Sequence, residues 1–249
     1  MRMRSPMLLT LLYLLWTGTP TLAEEPVWLD RFPDSAEQVP APWQVVQLNK
    51  EIPPTGYRLT RWDGVNAIEA NADKSMALLA RPVEVDLVKT PVMCWRWRVD
   101  APLETADMAT KAGDDYAARV YVSFAMPEDE IGFFLSTKLA LARSIYGDAV
   151  PDAALNYVWD NKYPVGTRKP NAYTDRTRMI VSESGAENVG KWVVARHDVQ
   201  KDLETEFESK LAKMVQLSVA SDTDNTGESA RAGFADFHFV ARDAPCHTF

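Results

Sequence analysis

Eleven short runs in this chain alternate apolar and polar side chains with a period of two: residues 43–48, 57–62, 67–70, 76–80, 92–99, 116–125, 155–159, 178–182, 192–199, 213–220 and 232–240. Each run has one apolar face, and a strand with one apolar face needs a second layer to cover it. Turn-forming residues separate the runs, among them Pro53-Pro54, Asp63-Gly64, Gly113-Asp114, Pro164 to Gly166 and Ser184-Gly185. Many short strands with regular breaks point to a sandwich. No period of about 20–50 residues recurs, which argues against a propeller or solenoid. The expected fold is all-β, a jelly-roll-like β-sandwich.

One segment departs from this rhythm. Pro127 precedes Glu128, Asp129 and Glu130, and then Ile131, Phe134, Leu135, Leu139, Ala142 and Ile145 recur at helical spacing. Arg143 lies near the end and Gly147 just beyond it. Early proline and acids, a late base and a terminal glycine mark the two ends of a helix. The spacing predicts one inserted amphipathic helix of about four to five turns. A second, short helix is an alternative reading of residues 202–211.

The N-terminus sets the expected compartment. Arg2 and Arg4 precede an apolar stretch from Met7 to Trp16, and Thr21-Leu22-Ala23 supplies small residues ahead of Glu24. This is the pattern of a signal peptide over 1–23, and the stretch is shorter than the ~20 residues a membrane span needs. The remainder, 24–249, is expected to be a single β-sandwich domain, exported and most naturally periplasmic. Cleavage removes two bases and no acids, so the net charge moves from −8 to −10. Such an acidic protein is a poor partner for nucleic acid or anionic lipid, and no later apolar run is long enough to span a membrane. Cys94 and Cys246 either form a disulfide, as an oxidising compartment allows, or stay as free thiols. With three histidines they make no zinc site of familiar spacing.

Four groups of residues carry candidate chemistry. Asp222-Thr223-Asp224-Asn225-Thr226-Gly227 is a loop of oxygen donors between two strands, which places it at a sheet edge. Such a loop either caps itself through side-chain-to-backbone bonds or holds a hard cation. Asp222, Asp224 and Thr226, with Asp236 joining from the next strand, are the candidate Ca²⁺ ligands. The spacing is not that of an EF-hand, because the twelfth position is Gly233. In the run from Gly113 to Phe124, Ala118, Val120, Val122 and Phe124 share one face, while Asp115, Arg119, Tyr121 and Ser123 share the other. That second face reads as a solvated surface or as the lining of a concave sheet.

Trp95 and Trp97 alternate with Cys94, Arg96 and Arg98. The tryptophans suit a core or a sugar-stacking platform, and the arginines suit an acidic ligand or Asp114 and Asp115. Asn156, Tyr157 and Trp159 lie where a strand runs into a loop that continues through Arg168, Asn171 and Tyr173. Amides and aromatics there fit a carbohydrate site or a pinned loop. Histidine chemistry is thin: His197 lies on the Val193/Ala195 side of its strand, His238 shares a face with Asp236, and no Gly-x-Ser-x-Gly elbow occurs. Asp114, Asp115 and Asp236 are the candidates for a glycosidase pair, whose ~5–9 Å separation is set by the fold.

The runs GDDYAARVYVSF, LNYVWDN and DTDNTG, followed by the Phe-Ala-Asp-Phe strand, resemble a family of exported bacterial proteins carrying a domain of unknown function. The resemblance spans roughly 43–240 and implies an exported β-sandwich. It implies no reaction, substrate or catalytic residue.

Two functions follow as expectations. One is a periplasmic binding module for a glycan or other polar polymer, with Asp114, Asp115, Arg119, Tyr121, Asn156, Gln216, Ser218, Asp236 and His238 on a polar groove and Tyr157 and Trp159 stacking at its rim. The other is a polysaccharide-active enzyme in the same groove. As a lyase it would use Arg119 to neutralise a uronate and Tyr121 or His238 to move the proton. As a hydrolase it would use Asp115 and Asp236. A structural envelope protein is a third reading.

Overall fold

The computed structural model describes residues 24–32, 37–146, 150–210 and 212–248. The expected signal peptide over 1–23 lies outside them. In chain order the strands are β1 (Val27–Trp28), β2 (Gln44–Val46), β3 (Gly56–Trp62), β4 (Val65–Asp73), β5 (Leu78–Pro82), β6 (Val92–Val99) and β7 (Tyr116–Ala125). Helix α1 (Phe133–Tyr146) follows, then β8 (Ala153–Asp160), β9 (Arg168–Pro170), β10 (Thr177–Ser184) and β11 (Val193–Asp198). Helix α2 (Val199–Phe207), β12 (Lys213–Asp222) and β13 (Ser229–Val240) complete the order.

The strands form two sheets. The first runs β11-β6-β13-β4-β3, with β1 added against β13; the second runs β2-β5-β12-β7-β8-β10-β9. Among the described elements the chain changes sheet between β1 and β2, β2 and β3, β4 and β5, β5 and β6, β6 and β7, β10 and β11, β11 and β12, and β12 and β13. This winding makes an all-β sandwich. The pair β8–β10 is parallel, against the antiparallel pairing elsewhere. Trp95, Trp97, Tyr157, Trp159, Phe234 and Phe239 meet in the shared core. Aromatic pairs such as Trp95–Tyr157, with centroids 5.5 Å apart, and Trp97–Trp159, at 5.7 Å, tie the layers together.

Register slips interrupt the strand alternation at four places among the described residues, one of them between Val181 and Glu183 of β10 and the other three in the pairings of β12 and β13. Between Arg119 and Tyr116 of β7 the pairing with β12 slips, so Ala117 and Ala118 both lie in the core. Tyr116 then turns to the outer face of the second sheet, against Met108, Val158, Met179 and Val181. A second slip falls near Val215 of β12. The third falls between Ala235 and His238 of β13, where Asp236 takes a positive φ of 60°. It shifts the inward parity from Ala232 and Phe234 to Phe237 and Phe239, as an extra residue does.

Helix α1 begins at Phe133, later than Pro127, because residues 127–130 form turns instead. Helix α2 realises the second short helix read over residues 202–211, beginning three residues earlier and ending at Phe207. Its apolar residues are few, Val199, Leu203 and Phe207 at four-residue spacing, so its stripe is weak in a charged segment. Its ends are nevertheless well marked. The Asp198 side chain accepts from Lys201 N at 2.9 Å, and Glu208 closes it in the left-handed region. The cysteines do bond: Cys94 on β6 and Cys246 in the tail are joined across 152 positions. No helix among the described residues is long and apolar enough to cross a membrane.

Candidate functional site

The aspartate loop does not lie at a sheet edge. It links β12 to β13, interior strands of opposite sheets. Gly227, at φ +73°, closes the loop by donating to the Thr223 carbonyl at 3.0 Å. Thr223 anchors it to Ser75 through a backbone bond of 3.0 Å and a side-chain bond of 3.2 Å.

Asp114, Asp115, Asp222 and Asp224 converge here around Arg119. The guanidinium bonds Asp114 Oδ1 at 2.6 Å and also pairs with Asp222 Oδ2. Tyr116 N–H donates to Asp222 Oδ1 at 3.0 Å, and Asn171 Nδ2 donates to Asp114 Oδ2 at 2.6 Å. Thr226 donates to Asp115 Oδ2 from its backbone N–H at 2.6 Å and its hydroxyl at 2.8 Å. Asn225 Nδ2 donates to Asp224 Oδ2 at 2.9 Å. Gly113 lets the preceding loop approach closely, since a Cβ there would lie 2.6 Å from Asp107 N.

Four acids around one base leave an excess of negative charge. Burial pushes the Asp222 carboxyl up to about 7; Asp115 and Asp114 push the same way, and Arg119 opposes them. Asp224 is raised by burial and by Asp115. Arg119 is held well above its ordinary value because the surrounding anions outweigh its burial.

One oxygen each from Asp115, Asp222 and Asp224 lies within 4.8 Å of the others, so a cation has a conceivable place. The chain's own donors already occupy much of it. Asp114 Oδ1 and Oδ2, Asp115 Oδ2, Asp222 Oδ1 and Oδ2, and Asp224 Oδ2 all accept, six of the eight carboxylate oxygens. A Ca²⁺ ion takes six to eight oxygens. Thr226, expected as a ligand, is instead a donor to Asp115. Asp236, expected to join, lies on the outer face of the first sheet, paired with Arg96.

Beyond Arg119, the outer face of the second sheet continues through Tyr121, Ser123, Asn156, Gln216 and Ser218. The ladder pairs Tyr121 with Asn156 and with Ser218, and Ser123 with Gln216. Tyr121 and Gln216 are half-buried, whereas Asn156 and Ser218 are fully buried. Burial pushes the Tyr121 hydroxyl up, so it stays a neutral donor. Met108 and Tyr163, from the two loops on this side, pack on Tyr116, Val158, Met179 and Val181 and raise an apolar shelf beside the polar strip.

On this face five buried polar atoms have no hydrogen-bond partner among the described residues: Asp115 Oδ1, Tyr116 OH, Arg119 Nε, Asn156 Oδ1 and Asp160 Oδ2. The Asn156 amide N–H₂ meets the Met179 sulfur at 3.1 Å and lies beside the Tyr121 side chain. The sulfur is a weak acceptor, and Asn156 Oδ1 itself accepts from no described residue. Buried polar atoms are normally paired with protein, water or ligand.

Other expected site residues are elsewhere. Tyr157 and Trp159 are not rim residues. Their parity on β8 turns them into the core, where Trp159 Nε1 donates to the Gly185 carbonyl at 3.1 Å. Trp95 and Trp97 are core as well, and Arg96 and Arg98 pair with Asp236 and Asp63 rather than with Asp114 or Asp115. His238 is on the first sheet with Asp236. It donates from Nδ1 to the Asp236 carbonyl at 2.6 Å, accepts at Nε2 from His247 N at 2.9 Å, and stacks on Trp28. Both ring nitrogens are used, and burial lowers its basicity. The Asp115–Asp236 hydrolase pairing and the Arg119–His238 lyase pairing are therefore split between two sheets, whereas Arg119 and Tyr121 share one face of β7. Arg119, already shared by two aspartates, is not available to a uronate.

Sequence reasoning missed Tyr116 on this face and Asn171 as the partner of Asp114. The paired small residues Ala117-Ala118, which break strict alternation, were the available signal for the first.

Two surface concavities lie away from the cluster. One, of about 520 Å³, is lined by Asn71, Asp73, Asp100, Ser229 and Arg231; the other, of about 360 Å³, by Asp30, Arg31, Phe32, Arg61, Asn66 and Asp236. Acids and bases there are mutually paired, as in Asp30–Arg81, Arg231–Glu69 and Arg96–Asp236.

A search of curated proteins finds no match to the chain. Among solved structures it is similar to the xyloglucanase domain of NopAA, a type three effector from Sinorhizobium fredii, in complex with cellobiose. The likeness covers 81% of this chain and 97% of that one, at 7% identity and a TM-score of 0.38. Chains so far apart need share neither ligand nor chemistry. A family model described as "Protein of unknown function (DUF3047)" matches residues 41–238. With that span covering most of its length, the chain belongs to the DUF3047 family.

Proposed function

We propose that this protein is a periplasmic binding module for a glycan or other polar polymer, engaged on the outer face of the second sheet. The observation that carries the reading is the set of unpartnered buried polar atoms at Asp115, Tyr116, Arg119, Asn156 and Asp160. They flank a strip of hydroxyl and amide groups at Tyr121, Ser123, Asn156, Gln216 and Ser218. Sugar hydroxyls both donate and accept, so they suit such a mixed lining, and the Tyr116–Val158 shelf offers apolar surface to a ring face. Arg119 and the aspartates hold the floor and do not react. Binding is preferred to catalysis because the Asp115–Asp236 and Arg119–His238 pairings are divided between the sheets, and the Arg119–Tyr121 pairing has its cation engaged by Asp114 and Asp222 and its phenol held neutral by burial. The Cys94–Cys246 bond supports an oxidising compartment.

A panel of neutral and acidic oligosaccharides, read for binding and for new reducing or unsaturated ends, tests the proposal. Binding without product is expected. Tyr121→Ala and Asn156→Ala are each expected to weaken it about tenfold, or ~1.4 kcal/mol. Unchanged affinity in both variants, or product formation by the wild type, would sink it.

A further inference from the structure

Along one flank of the sandwich, β11 at the edge of the first sheet meets β10 of the second, and polar side chains gather there that the outer-face site does not use. Ser182 sits where the β10–β8 register slips between Val181 and Glu183; an irregularity of this kind re-aims a side chain. Its Oγ lies 2.8 Å from His197 Nε2 on β11. His197 Nδ1 lies 3.6 Å from Asp202 Oδ2 on α2. Asp202 accepts from the Tyr157 hydroxyl at 2.9 Å and pairs with Arg168. The imidazole stacks on Trp95 with centroids 5.5 Å apart and leans on Tyr157 at 4.2 Å, which fixes the plane of the ring. Exposure falls along the row: Ser182 and His197 are half-buried, and Asp202 is buried.

We propose that Ser182, His197 and Asp202 form a nucleophile, a base and an orienting acid that together cleave short-chain acyl esters. The three come from different elements, and no nucleophile elbow announces them. The same trio recurs on unrelated folds in different chain orders and is recognised by geometry. A hydrogen bond serving only to join the sheets needs no carboxylate behind the second ring nitrogen. The 3.6 Å contact is longer than a hydrogen bond, and catalytic contacts of this kind tighten when substrate binds. Burial would raise the Asp202 carboxyl, but the neighbouring His197 ring and the bonded, charged Arg168 guanidinium hold it below its usual range. It therefore remains an anion able to stabilise an imidazolium.

The chemistry balances with water as the second reactant. Ser182 Oγ bonds to the ester carbonyl carbon while its proton passes to His197 Nε2. Collapse breaks the carbon–alkoxy bond, and the leaving oxygen takes that proton to depart as the alcohol. Water then attacks the acyl-serine, gives a proton to Nε2, and the acid leaves as Ser182 regains its own. The half-buried position of Ser182 restricts the acyl group to a small one.

The test is to treat the full chain with a fluorophosphonate and map the adduct by peptide mass, alongside p-nitrophenyl acetate hydrolysis. An adduct on Ser182 is expected, with ester turnover falling about 10³-fold or more in Ser182→Ala and in His197→Gln. The double variant should be no worse than either single one, as for groups acting as a unit. Labelling of the wild type requires no variant to fold. A folded wild-type chain that takes up no probe on Ser182 and turns over ester no faster than buffer overturns the proposal, whatever the outer face binds.

Discussion

Arg119→Met removes the cation shared by Asp114 and Asp222 while keeping an apolar stem in its place. Truncating one partner of a buried ion pair costs about 3–5 kcal/mol, because the other charge is left uncompensated. The Arg119 contacts over Tyr116 at 4.7 Å and Tyr121 at 5.5 Å are lost as well, worth about 1 kcal/mol. The cost should depend on pH. Asp222 already sits at about 7, from burial first and from Asp115 and Asp114 next, with Arg119 opposing. A carboxyl raised on folding favours the folded state below its unfolded value near 4, and that contribution is lost as pH rises through the folded value. Without Arg119 the folded value climbs further, so the variant keeps losing stability after the wild type has levelled off, by up to ~1.4 kcal/mol per pH unit. Urea unfolding at pH 5 and pH 8, extrapolated linearly, reads both chains. The loss is expected to be about 3–5 kcal/mol at pH 8 and roughly half that at pH 5. A loss under ~1 kcal/mol at pH 8, or one that does not change with pH, would refute the reasoning.

The remaining expectations concern the tail and the aspartate loop. Replacing both Cys94 and Cys246 by serine opens a loop of 152 positions, and chain-entropy reasoning sets the stability loss at about 2–5 kcal/mol; matching denaturation midpoints for the variant and the oxidised wild type would contradict this. Millimolar Ca²⁺ is expected to leave the melting temperature unchanged, since Arg119, Tyr116, Asn171, Asn225 and Thr226 already serve the carboxylates. A rise of several degrees over the chelated protein would instead place an ion beside Asp115 Oδ1.

Local pattern made much of the sandwich readable. Val92–Val99 and Tyr116–Ala125 have the boundaries their alternation gives, because each carries a full apolar face that must be buried. The two-residue β1 and three-residue β9 carry too few side chains to show a period. Their pairing is decided by β13 and β10. The site was only half readable for the same reason. Asp114, Asp115 and Arg119 are close in sequence, and the strand period orients them. Asp222 reaches Arg119 across 103 positions, and nothing local encodes that meeting. Tyr157 and Trp159 were misplaced because their aromatic character fits a rim or a core equally, and only the neighbouring sheet decides which. Ser182, His197 and Asp202 come from two strands and a helix whose meeting no spacing records.

The most direct measurement is a crystal structure of the chain soaked with the oligosaccharide that binds best. Sugar density is expected against Tyr121, Asn156 and Ser218, with hydrogen bonds to Asn156 and to the unpartnered atoms around Arg119. Density instead on the first sheet beside Asp236 and His238, or an outer face of the second sheet filled only by ordered water while sugar binds elsewhere, would contradict the assignment of the site.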